Sequence, residues 1–539
     1  MHPGRKCALG HRVFRPLIPS LLLAFAFSAP AAEKPIARVR TLRLTLAKAI
    51  ELALAKNFSI ESERLSPQIA RQRVVQEEGV FDPVFDIKAE HGEKTVRDDF
   101  DLRARGGDFR PTEEELKASV FSGLEHFAVG EVAQSSSLSS GLGGTTPWGL
   151  EYGVRIKADH VDSLNGISER FTAGPEFSVN QPLLRGFGPD ANLSQLRIAR
   201  NNVLVSEWQL RQRIINVITD TVAAYNELHR SQENFRVATG FRDLAQQLVD
   251  DNSKRVDIGV MSPLNITTAR AEAAAREEAV IVAARDIKDN ENFLKQLITR
   301  DLESLLNIQV EITPPPTPAF QPNVSGGIAE ALKLRPDYRQ AILEIERRHI
   351  TLAFTKNQAL PRFDLSGSLQ ILGIDNDLGT SVNRTPKRDQ TEWSVGAIFS
   401  VPIPNREGRG SVAAAQLSSA QSLVNLQALE QQIVVDVDNA SGAVTTARQR
   451  IESTAEARVL ARESLDAGQE RLRAGTGTTF EVLELQKKLA EAEFAELRAR
   501  TDYNKAVSEY YRQTGTSLRE NHVLVDEPRR ENPGTGKPR

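Results

Sequence analysis

The stretch Arg471-Leu-Arg-Ala-Gly-Thr-Gly-Thr-Thr-Phe-Glu-Val-Leu-Glu-Leu485 decides how this chain is read. It is a short, glycine-bearing break between two long segments of helical periodicity. Gly475 is free to take a positive φ and close one helix, and Thr478 is placed to cap the next. A second copy lies about 216 residues earlier, Arg255-Val-Asp-Ile-Gly-Val-Met-Ser-Pro-Leu264, where Gly259 matches Gly475 and Leu264 matches Phe480. There Ser262 takes the capping place, and Pro263 takes the first helical position, where a missing N–H costs nothing. Two such tips in one chain imply a duplicated architecture.

The segments flanking each tip set its scale. No proline falls between Asp190 and Arg255, which permits a helix of about 65 residues and about 100 Å. Leu210, Ile214, Val217, Thr221, Ala224 and Leu228 recur at alternating steps of four and three, and Leu196 and Val203 extend the seam backwards. That is the heptad spacing of coiled-coil packing. With the returning helix the first hairpin is predicted over residues 190–306, and its counterpart over 411–513. In the last helix Val482, Leu485, Leu489, Ala492, Ala499, Tyr503, Ala506 and Tyr510 keep the seam, with Glu496 interrupting it. Between the halves, residues 313–326 form a proline-rich linker, and residues 516–539 read as a disordered tail.

Upstream of each hairpin the period changes to two. Phe85, Ile87 and Ala89 alternate with Asp86, Lys88 and Glu90; Phe363, Leu365 and Leu369 alternate with Asp364, Ser366 and Gln370. Strands are predicted over about residues 81–92, 171–183, 361–373 and 391–403. Residues 93–170 are less regular, although Tyr152, Val154, Ile156 and Ala158 alternate with charged neighbours as a hairpin inserted between the main strands would. Asp82-Pro-Val-Phe-Asp-Ile87 recurs about 278 residues on as Leu360-Pro-Arg-Phe-Asp-Leu365. Gln181-Pro-Leu183 likewise matches Val401-Pro-Ile403, so Pro182, Gly186 and Pro402 are taken as corners where strand turns into helix. The chain thus divides into a first repeat, 33–312, and a second, 327–515.

Composition narrows what this can be. The net charge is −3 with both signs interspersed, so no nucleic-acid partner is expected. Arg5, Lys6, Arg12 and Arg15, a short apolar run from Leu17 to Phe27 and the small residues Ser28 to Ala32 form an export signal, residues 1–32. Cys7 is the one cysteine and lies within that signal, which excludes disulfides and thiolate chemistry from the mature chain. The eight histidines show no paired ligand spacing, Gly186-Phe-Gly188 lacks the parallel-sheet setting of a dinucleotide loop, and the Ser135–Ser140 run lacks a nucleophile elbow. No catalytic constellation, metal site or cofactor is expected; the chain does not read as an enzyme.

Past the signal there is no run of 18 apolar residues, so any crossing of a membrane must be made by a β-barrel. Four two-faced strands cannot close a barrel alone and would leave exposed edges. Cyclic association removes the edges, and three chains of four strands would give twelve. The competing reading is a structural periplasmic coiled-coil protein that lines no pore. The strands' apolar and polar faces favour the duct.

The Leu46–Asn57 helix, Gln181-Pro-Leu-Leu-Arg-Gly186 and the two Arg-x-x-x-Gly tips resemble the TolC-like outer-membrane efflux protein family, over nearly the whole mature chain. The resemblance implies an α+β membrane protein: a homotrimer with a twelve-stranded barrel in the outer membrane of a Gram-negative cell. The barrel would be continued by a periplasmic coiled-coil tunnel. It implies outer-membrane lipid, a periplasmic adaptor and an inner-membrane RND or ABC transporter as partners, in efflux or type I secretion. Glu481 and Glu484 stand at the positions of an acidic pair in the family's periplasmic gate, where a trimer would bring six carboxylates together. Leu472 and Gly477 occupy the places of that gate's tyrosine and arginine, so its locking contacts must differ here. Arg255, Gly259, Ser262, Arg471, Gly475 and Thr478 mark the tips an adaptor would grip.

Overall fold

The computed structural model describes residues 40–96, 131–163, 170–259, 261–305, 308–388, 390–525 and 528. The export signal lies outside the described residues, as does most of the segment after 525. The chain opens with strand β1 (Arg40–Leu44) and helices α1 (Leu46–Lys56) and α2 (Phe58–Glu78). Strands β2 (Val84–Val96), β3 (Glu131–Thr145), β4 (Glu151–Ser163) and β5 (Arg170–Pro182) follow. The first hairpin is α3 (Ser194–Asp257) and α4 (Pro263–Ile298), leading to β6 (Ile308–Ile312). The second half repeats the plan with α5 (Val324–Leu334), α6 (Pro336–Gln358), β7 (Arg362–Asp375), a small helix α7 (Leu378–Arg384) and β8 (Gln390–Ser400). Its hairpin is α8 (Arg406–Arg473) and α9 (Thr479–Thr514).

The heptad seam is buried where the spacing places it. Ile214, Val217, Ala224 and Leu228 are shielded in one cluster with α1, α4, β1 and β6, Thr221 of the same seam is fully buried, and Leu489, Ala499, Tyr503 and Tyr510 are shielded in α9. Helices α3 and α8, 64 and 68 residues long, each span about 100 Å at the α-helical rise. Glu496, the break in the last seam, is buried too; it lies 2.5 Å from Arg458 on α8 and 2.7 Å from Arg500 on its own helix.

The structure departs from the sequence reading in several places. The expected four strands are present, but the sheet has six, in the order β2-β3-β4-β5-β7-β8, all antiparallel. The extra pair is the inserted hairpin; its strand β3 escaped detection because serine and glycine fill it, leaving Leu138 and Leu142 as its marked apolar positions. The disordered tail expected from residue 516 is ordered at its start: Ser517–Glu520 is helical, Leu518 is buried, and Val523 packs against the same core. Finally, β1 and β6 form a separate parallel pair. Tyr225 holds it, its hydroxyl 3.0 Å from the Leu44 carbonyl and 2.6 Å from that of Thr313. Lys295 and Glu291, buried together one helical turn apart, bond the Ile308 carbonyl and the Val310 N–H of β6.

Helix α8 starts at Arg406 rather than about 411, because Asn405 caps it through the Gly408 N–H and outweighs the helix-breaking tendency of Gly408 and Gly410. Helix α5 admits Gly327 because a Cβ there would stand 2.7 Å from the Tyr510 hydroxyl.

Candidate functional site: the hairpin tips and corners

Each tip is built as its residues dictate. Gly259 and Gly475 end their helices at φ 77° and 76°, the left-handed region. Ser262 accepts from the Leu264 N–H at 3.4 Å and Thr478 from the Glu481 N–H at 3.2 Å. The second tip is therefore a Thr-x-x-Glu start, with Glu481 in the first turn of α9.

The two tips are joined within one chain. Arg255 donates to the Leu472 carbonyl at 3.3 Å, so the last turn of α3 is tied to the last turn of α8. Beneath this bond Val237, Phe241 and Leu248 of α3 pack with Leu465 and Leu472 of α8 and with Val482, Leu483 and Leu489 of α9. Leu472 is thus turned into the interhelical core. Gly477 closes the turn: its N–H and that of Thr476 both donate to the Arg471 carbonyl at 3.0 Å. A Cβ on Gly477 would approach the Leu472 nitrogen to 3.0 Å. Neither residue is placed to replace the aromatic and cationic partners the family resemblance calls for.

Of the acidic pair, Glu481 is half-buried and forms an ion pair with Arg471 at 2.7 Å. Glu484, one turn on, is exposed. Arg471 therefore stands as the counter-ion of the first carboxylate, a pairing that spacing alone does not disclose because the two are ten residues apart across the turn.

At the other end, both corners converge on the end of α6. Gly186 has φ 85° and its N–H donates to Asn357 Oδ1 at 2.8 Å. Asn192 holds the Gly186 and Gly188 carbonyls at 2.8 and 3.0 Å. Pro182 ends β5, whereas Pro402 lies two residues beyond β8; Asn405 follows with φ 56° and donates to the Ala359 carbonyl at 2.9 Å. The sequence marked the prolines and Gly186; Asn357, Asn192 and Asn405, which carry the hydrogen bonds, were missed. Asparagine beside a glycine- or proline-rich turn was the available signal.

A six-stranded sheet running through two corners into two paired helical hairpins is a specific arrangement, and comparison with known proteins identifies it. The family model described as outer membrane efflux protein matches residues 149–300 and 327–516, more than half of the chain. The chain belongs to this family. Among solved structures, the CmeC outer membrane channel of Campylobacter jejuni superposes with a TM-score of 0.64 at 17% identity, covering 88% of this chain and 86% of that one. The outer membrane protein VceC of Vibrio cholerae gives 0.60 at 14% identity, covering 87% and 96%. The MtrE outer membrane channel of Neisseria gonorrhoeae, in its open state, gives 0.58 at 18% identity, covering 88% and 89%. Nodulation protein T of Rhizobium leguminosarum bv. trifolii is 25% identical over 190 residues, 35% of this chain and 39% of that protein. The match thus spans about two-fifths of that relative's length.

Proposed function

We propose that this protein is the outer-membrane exit duct of an efflux or type I secretion system, a passive conduit in which three copies close one barrel and one helical tunnel. The observation that carries this reading is the sheet. It presents apolar side chains outward on one face along every strand, has open edges at β2 and β8, and leads at its other end into two hairpins of tunnel length. Exposed Phe85, Ile87, Trp393, Val395 and Phe399 make sense against lipid and not against water.

In this reading the sheet lies in the outer membrane of a Gram-negative cell and the tips point into the periplasm. The ring of Gly259- and Gly475-type tips receives a periplasmic adaptor coupled to an inner-membrane RND or ABC transporter. Glu481 and Glu484 face the narrow end of the tunnel. Arg471 neutralises the first of them in each chain, so Glu484 carries the greater part of the field that favours cations.

Outer-membrane fractions run on gels with and without heating test the assembly: an SDS-resistant trimer that collapses on boiling is expected, and a soluble monomer refutes it. Planar-bilayer recordings test the constriction. Glu484→Gln should lower cation preference more than Glu481→Gln does, and unchanged selectivity in both would reduce the pair to helix capping.

A further inference from the structure

The second repeat pairs its two barrel strands, β7 and β8, side by side with only the short helix α7 in the connection, whereas the first repeat places a hairpin between the corresponding β2 and β5. We propose that this hairpin, β3–β4, is part of the membrane wall, so that three copies close eighteen strands rather than twelve. The inference rests on the trimeric membrane duct proposed above.

Register is the first support. Every residue of β4 from Glu151 to Val161 is paired to β5, and β3 is paired along its length to both β2 and β4. The pairing keeps the main apolar positions of all six strands on one face, although Ser140 stands between two of them. On one face, Ile87 of β2 stands opposite Ser140, which stands opposite Ile156; Phe85, Leu142, Val154, Phe177 and Leu369 form the adjoining row, which reaches Trp393. A slip of one residue at any pairing would move a whole strand to the other face. The inserted strands expose their apolar side chains as the main strands do: Leu138 is 53% exposed and Ile156 65%, beside 65% for Ile87. A hairpin lying in water outside a barrel has no reason to continue a lipid-facing band in register.

The polar face supplies an independent argument. Arg155 of β4 reaches across β3 to Asp86 of β2, at 3.1 Å, and Lys157 pairs with Glu176 of β5 at 2.7 Å. The inserted hairpin is thereby tied by charge to both of the strands it separates. The crossing needs an empty place on β3, and Gly141 provides it, since a Cβ there would stand 2.2 Å from Arg155 Cγ. Ser137, Ser139 and Gly143 keep the rest of that face of β3 low.

With strands about 4.8 Å apart and tilted by about 40°, twelve strands enclose a backbone cylinder about 24 Å across and eighteen one about 36 Å across. At that width side chains leave an aqueous passage, so the outer exit admits bulky hydrated solutes and the narrowing that selects cargo falls on the helical tunnel.

Substituted-cysteine labelling of isolated outer membranes tests this, in a full-length Cys7→Ser background. A membrane-impermeant maleimide should label Ser139→Cys and Lys157→Cys and fail to label Leu138→Cys and Ile156→Cys. Ser368→Cys and Leu369→Cys on β7 serve as the reference pair. Equal labelling of both faces of the hairpin, with alternation kept on β7, overturns the eighteen-stranded wall. Loss of alternation on β7 as well overturns the membrane barrel itself. Electron microscopy of the unmodified trimer in lipid discs gives the count directly and does not depend on any variant folding: eighteen strands are expected, and twelve refute the proposal.

Discussion

Replacing Glu496 by glutamine tests whether a buried charge cluster holds the second hairpin together. The carboxylate is 8% exposed and sits between Arg458, 38% exposed, and Arg500, 55% exposed. Burial alone would raise its pKa, but the hydrogen bonds and charges of the two arginines outweigh that and hold it below the ordinary glutamate value. Hydrogen bonds to charged groups contribute about 1.5–3 kcal/mol each, and the water reaching both guanidinium groups discounts the pair. A net loss of about 1.5–3 kcal/mol is therefore expected at neutral pH. Because the folded-state pKa is depressed, this contribution is fully present above the unfolded value and is lost as pH falls through the lower folded one. The readout is hydrogen exchange in the peptides around Glu496, compared between the two proteins at each pH. Protection in the variant should fall roughly 10- to 100-fold at pH 7, at about 1.4 kcal/mol per decade. The gap should close as pH drops below the glutamate range. Equal protection at pH 7, or a gap that widens in acid, would refute the account.

Lys295→Ala leaves Glu291 buried without its partner and removes the bond to the Ile308 carbonyl, so a loss of about 3–5 kcal/mol is expected in thermal unfolding followed by circular dichroism. Gly141→Ala should displace Arg155 from Asp86 and cost about 1–3 kcal/mol, read as a lower temperature for collapse of the trimer band; Ser139→Ala on the same face serves as the neutral control. Gly475→Ala forces a left-handed alanine at φ 76°, at about 1–2 kcal/mol, and is expected to weaken capture of a periplasmic adaptor while leaving the sheet and the gel mobility unchanged.

Where sequence and structure agree, a strong period or a turn residue of narrow conformational range is responsible. The tips were legible because Gly259 and Gly475 need positive φ and Ser262 and Thr478 stand at capping distance from them. The long seams were legible because a three–four step over many turns has one interpretation. Strand β3 was not legible: in Ser135–Gly144 the leucines are diluted by residues without strand preference, and its place is set by neighbours on both sides. The parallel pair β1–β6 was hidden for another reason, since five-residue strands so far apart in the chain carry no local sign of each other. At the site, the residue types of the acidic pair were visible but the counter-ion was not. Arg471 meets Glu481 only because Gly475 and Gly477 fold the turn back.

The β1–β6 pair also bears on the order in which the molecule is made. Arg43 meets Glu311 at a separation of 268 residues. Closing a flexible loop of that length costs about 5 kcal/mol in chain entropy, more than two short strands return. The clasp therefore cannot lead folding. It closes after α3 and α4 have docked, when Tyr225 and Lys295 already stand in place to receive it. Strand β1, the first described element along the chain, is then among the last to settle.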